Sequence, residues 1–109
     1  MATHSFGIMQ EEPAYGERYD SYEPEKYHCI MMDDGLVEDI DRAWNELDFY
    51  WHTRSVPGKG LAYCGVTLIP PEMLDACIAG IERMEDAAPL KQLLLRAKAE
   101  HRFVIHYGV

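Results

Sequence analysis

Residues 50–71, YWHTRSVPGKGLAYCGVTLIPP, limit the possible folds of this chain more than any other stretch. An aromatic segment, a loop carrying the Pro57-Gly58 turn signal and a long apolar segment follow one another. The Pro70-Pro71 step then opens a helix, where a missing N–H is tolerated. Over residues 61–69 both alternating sets are largely apolar. Ala62, Cys64, Val66 and Leu68 fall on one side, and Leu61, Tyr63, Gly65, Thr67 and Ile69 on the other. A strand apolar on both faces belongs inside a sheet covered from both sides. Residues 48–53, DFYWHT, supply its aromatic neighbour, and the two predict a hairpin.

The remaining elements follow from periodicity. Residues 4–9 and 27–32 read as short strands. Asp33-Asp34-Gly35 supplies a turn and an acidic cap for a helix over 35–47, with Leu36, Val37, Ile40, Trp44 and Leu47 on one stripe. A second helix buries Met73, Leu74, Cys77, Ile78, Ile81 and Met84. A third starts at Pro89 and buries Leu90, Leu93, Leu94 and Ala97. Residues 103–109, FVIHYGV, form a closing strand. The order β-β-α-β-β-α-α-β predicts an α+β fold: a mixed, mainly antiparallel sheet with about three helices packed on one face. At 109 residues the chain makes a single domain, 1–109. Residues 10–26 within it are an irregular acidic, tyrosine-rich loop or edge interrupted by Pro13, Gly16 and Pro24.

Charge is unevenly placed. Residues 1–48 hold 13 of the 19 acids against three bases, whereas residues 49–109 are nearly balanced, and the whole chain carries −9. Such a field repels phosphate backbones and anionic lipid and attracts basic protein surfaces, so the expected partners exclude nucleic acid and membrane. Tyr15, Tyr19, Tyr22 and Tyr27 alternate with acids in the loop. Phenol rings with polar tips suit contact surfaces, and they equally suit a loop that covers a core. Three cysteines with no CxxC pair predict reduced thiols and a cytoplasmic setting. The first residues lack the basic and apolar regions of a signal peptide, and no apolar run reaches the roughly 20 residues of a membrane span.

The chemistry-bearing residues assemble no catalytic motif, and no cofactor is expected. His52 and His106 could converge with Cys64 if their strands are neighbours, which makes these three the candidates for a metal site. Cys64 and Cys77 both lie on apolar stripes and are expected to be buried. Gly58-Lys59-Gly60 is not a phosphate-binding loop, because Leu61 follows and a strand comes next.

Two segments carry resemblances. IDRAWNELDFYW at residues 40–51 resembles the D-x-x-W helix of the YfbM-like domain, an uncharacterised bacterial α+β family. LKQLLLRAKAEHRFVIHYGV at residues 90–109 is similar to that family's closing helix and strand. VPGKGLAYCGVTLIPPE resembles small open reading frames on mobile elements of gut Firmicutes, a context that implies proteins blocking host-defence enzymes.

The expected function is therefore a non-enzymatic inhibitor, such as an anti-CRISPR or anti-restriction protein. It would bind a basic nucleic-acid-processing protein through Tyr15, Tyr19, Tyr22, Glu23, Glu25, Asp39 and Asp41, with carboxylates standing in for phosphates and rings for bases. Two alternatives stand beside it: a toxin-immunity or antitoxin-type binder, and a small metal- or ligand-binding, enzyme-like domain using His52, Cys64 and His106.

Overall fold

A computed structural model describes residues 2–109. Its six-stranded sheet has the order β2-β1-β6-β5-β3-β4, and every pairing in it is antiparallel. The strands are β1 (Thr3–Ile8), β2 (Ile30–Asp33), β3 (Asp48–Trp51), β4 (Pro57–Lys59), β5 (Val66–Ile69) and β6 (Val104–Tyr107). The first and last strands lie side by side in the middle of the sheet. The helices are α1 (Asp34–Trp44), α2 (Leu74–Ile81) and α3 (Ala88–Glu100). The fold is α+β as expected.

All three helices pack on one face. Val37, Ile40 and Trp44 of α1 meet Cys77 and Ile81 of α2, Leu90 and Leu94 of α3, and Phe6, Ile69 and Val104 from the sheet. Asp33 caps α1 by accepting the Gly35 N–H at 3.0 Å. Trp44 donates its indole N–H to the Cys77 carbonyl at 3.0 Å, tying α1 to α2 while satisfying a buried donor. Pro71–Met73 forms a single 3-10 turn ahead of α2. At its other end α3 stops at His101, whose left-handed backbone (φ 54°) lets Arg102 N–H reach the Ala97 carbonyl at 2.9 Å.

The opposite face is covered by the acidic loop. Val66, Leu68, Ile105 and Tyr107 are buried with Met9, Tyr27 and Phe103, and Tyr19, Cys29 and Tyr50 close the margin. Each large apolar side chain so buried contributes about 1.5–3 kcal/mol relative to exposure. Gly7 of β1 makes this approach possible, since a Cβ there would sit 2.7 Å from the Cys29 thiol and the Tyr27 backbone. The loop is fastened at several points. Tyr19 N–H donates to the His52 carbonyl at 2.7 Å. The Arg54 guanidinium lies over the Tyr15 and Phe103 rings, pairs with Glu12 at 2.8 Å and donates to the Pro13 carbonyl.

Two expectations from residues 50–71 change. The strand over 61–69 contracts to β5, because residues 62–65 form a turn closed by Gly65 N–H to the Ala62 carbonyl. Within RSVPGKG, residues 57–59 form the edge strand β4. β3 therefore lies between β4 and β5 rather than in a simple hairpin. The Trp51 ring covers Gly58, where a Cβ would approach it to 2.4 Å, and its N–H bonds the Gly60 carbonyl.

Candidate functional site

The register of the central strands sets Phe6 opposite His106, which brings His4 and His106 together. His4 Nδ1 lies 2.8 Å from His106 Nε2, and both rings are fully buried. His4 Nε2 reaches Asp34 Oδ1 at 2.9 Å, and His106 Nδ1 reaches Thr67 Oγ1 at 3.1 Å. Thr67 Oγ1 also accepts the Ala62 N–H, and Tyr63 donates its hydroxyl to Asp34. With both rings neutral, one assignment satisfies every contact: Thr67 O–H to His106, His106 Nε2–H to His4, and His4 Nε2–H to the Asp34 carboxylate. Burial, with His4 adding to it, pushes His106 down to about 3. The Tyr63 hydroxyl, with help from His4, holds Asp34 below the usual carboxylate range. This chain joins β1, β5 and β6 to the first turn of α1. Its role is cohesion of the sheet with the helix layer.

A second group of polar side chains opens to solvent on the loop-covered face. Ser5, Asp20, Tyr22, His52, Cys64 and Tyr107 line a cleft of about 290 Å³. His52 follows β3 in a left-handed conformation (φ 63°), fixed by its N–H to the Val66 carbonyl and its carbonyl to Tyr19 N–H. Its Nδ1 meets Asp20 Oδ1 at 2.7 Å. Asp20 also takes the Arg18 Nε–H at 2.8 Å, and Arg18 first and then His52 lower its carboxyl. Gly65 lies against the free edge of the imidazole, where a Cβ would come within 2.5 Å of His52 Nε2. Cys64, the preceding residue, is exposed at the lip of the cleft.

These placements separate the three metal candidates and revise the expected burial of one thiol. His52 and Cys64 share a cleft, whereas His106 faces the helices and is occupied by His4 and Thr67. Among the described residues no group of three or more His, Cys, Asp or Glu is arranged to hold a metal ion. Cys77 is buried as expected, and burial pushes its thiol up. Cys64 is instead exposed, because the turn at 62–65 removes it from the strand whose alternation would have buried it. The half-buried Cys29 thiol is pushed up to about 11 by its apolar surroundings.

The seven expected contact residues fall on two sides of the sheet. Tyr15, Tyr19, Tyr22, Glu23 and Glu25 belong to the loop. Tyr15 is 71% and Tyr22 59% exposed, both glutamates are exposed, and Tyr19 is partly buried and donates to Glu17. Asp39 and Asp41 belong to α1 on the helix side. Asp39 is exposed and pairs with Arg42 at 2.8 Å, whereas Asp41 accepts the Leu61 N–H at 3.0 Å and holds the start of the 61–65 segment. The Asp41-x-x-Trp44 spacing thus has a structural use at both ends. Other acids of the first half are also engaged: Glu12 by Arg54, Asp34 by His4 and Asp48 by Lys59. No protein-family model, curated protein or solved structure matches the chain.

Proposed function

We propose that this chain is a non-enzymatic binding protein whose loop face docks on a basic surface of a nucleic-acid-processing protein, as an anti-CRISPR or anti-restriction inhibitor would. The observation that carries the reading is Tyr15, Tyr22, Glu23 and Glu25 exposed together on a loop fastened to the sheet, in a chain of net charge −9. Rings held on an ordered support bury area at small entropic cost, and carboxylates beside them oppose a positive groove. Within this reading the docking surface is the loop face, and Asp39 lies outside it. Purified protein is to be titrated into DNA-cleavage reactions of RNA-guided and restriction nucleases. Inhibition that weakens with added salt supports the proposal, and undiminished cleavage by both enzyme classes removes it. An immunity-type binder would use the same surface and is recognised by stoichiometric co-purification with a basic toxin.

A further inference from the structure

Arg54 links the buried layer of the loop face to the exposed ring of Tyr15. Its own side chain is 20% exposed, whereas Tyr15 is 71% exposed. The guanidinium carbon lies 4.5 Å from the Tyr15 ring centroid and 5.0 Å from that of Phe103, which is buried with Met9 and Tyr27. Nη1 pairs with Glu12 at 2.8 Å and donates to the Pro13 carbonyl at 3.1 Å, so one side chain holds Glu12, Pro13 and Tyr15 together. Its neighbours continue the fastening in antiparallel order. Ser55 Oγ accepts the Gly16 N–H at 3.3 Å, Thr53 bridges Arg18, and the His52 carbonyl accepts the Tyr19 N–H. The Arg54 Nε–H, however, is buried without a hydrogen-bond partner among the described residues. A desolvated, unmet donor costs stability, and an apolar side chain would cover Phe103 without that cost. What an apolar side chain would not do is hold Glu12, Pro13 and Tyr15 in place.

We propose that Arg54 is the positioning residue of the docking surface, holding residues 12–16 so that the Tyr15 ring meets a basic partner already ordered. Association that must first immobilise a loop loses affinity, and a ring on a fixed support avoids that loss. Arg54 acts through Tyr15 rather than by touching the partner, because its own side chain is largely covered. Exposed Glu12 and Glu17 flank Tyr15 in the chain, a setting that suits an arginine or lysine of the partner laid over the ring. The role in binding rests on the docking reading, whereas the ordering of the loop belongs to the free chain and is measured there.

The test compares the full chain with Arg54→Met and Arg54→Lys. Backbone amide relaxation without any partner should give order parameters near about 0.85 at Tyr15 and Gly16 in the parent and below about 0.6 in Arg54→Met, with β1 and β6 unchanged. Arg54→Lys keeps the charge beside Glu12 and Tyr15 and should recover most of the order. In the nuclease-inhibition assay Arg54→Met should raise the concentration needed for inhibition at least about fivefold, and Arg54→Lys should restore most of the loss. Loop order in Arg54→Met equal to the parent's, or order lost through β1 and β6 as well, overturns the positioning role whatever the nucleases show. A loosened loop that inhibits as well as the parent overturns its part in docking. Should the parent inhibit no nuclease while Arg54→Met loosens the loop, the docking reading fails and the ordering role stands.

Discussion

His4 and His106 meet ring nitrogen to ring nitrogen at 2.8 Å in the centre of the sheet, with neither ring exposed. A contact this close between two imidazoles accommodates one proton, which one ring donates and the other accepts. Asp34 anchors one end and Thr67 the other, which makes the pair the polar seam between the sheet and α1.

The seam makes stability depend on pH. His106 is pushed down to about 3 in the fold, whereas an unfolded histidine titrates near about 6.5. Between those values the unfolded chain binds more protons, so stability rises with pH across the window. It is fully present above about 6.5 and is lost as pH falls toward the folded value, by up to about 1.4 kcal/mol per pH unit. Urea denaturation at pH 7.5 and pH 5.5 should show the loss, and His106→Asn should flatten the dependence.

Thr67→Val keeps the shape of the side chain and removes its hydroxyl. His106 Nδ1 loses its partner in a buried setting, and Ala62 N–H loses its acceptor in a partly buried one. The expected cost is about 1–3 kcal/mol in the same denaturation experiment.

Gly7→Ala tests whether the acidic loop is packed on the sheet. The added methyl would press on Cys29 and the Tyr27 backbone, and the strand cannot retreat without disturbing two pairings. A destabilisation of about 1–3 kcal/mol and faster alkylation of Cys29 are expected. Unchanged Cys29 protection would mean that the loop does not pack as described.

The two aspartates of α1 should behave differently. Asp39→Ala removes an exposed ion pair and should change stability by no more than about 1 kcal/mol. Asp41→Ala strands the Leu61 N–H and should cost about 1–2 kcal/mol. Thermal melts of the two variants, compared at one pH, read this directly.

Much of the fold was legible because the apolar stripes of α1, α2 and α3 follow helical spacing and the caps and prolines mark their starts. β4 was not, since Pro57-Gly58-Lys59 reads as a turn and becomes a strand only through pairing with β3. The site was less legible still. Whether His106 meets His52 or His4 depends on strand order, and β1 rather than β3 is the neighbour of β6. Local spacing carries no trace of the 102 residues that separate His4 from His106. Asp20 reaches His52 from a loop without periodicity. Cys64 escapes burial because of a turn that the apolar alternation of 61–69 conceals.

The docking account is tested most directly by comparing two charge reversals in one nuclease-inhibition assay. Glu23→Lys with Glu25→Lys alters the loop face, and Asp39→Lys alters the helix face. The account predicts that the loop-face pair raises the concentration needed for inhibition at least about tenfold, with melting temperature nearly unchanged, while Asp39→Lys inhibits as the parent does. Inhibition that survives the loop-face reversal, or that falls equally in both variants, would contradict it.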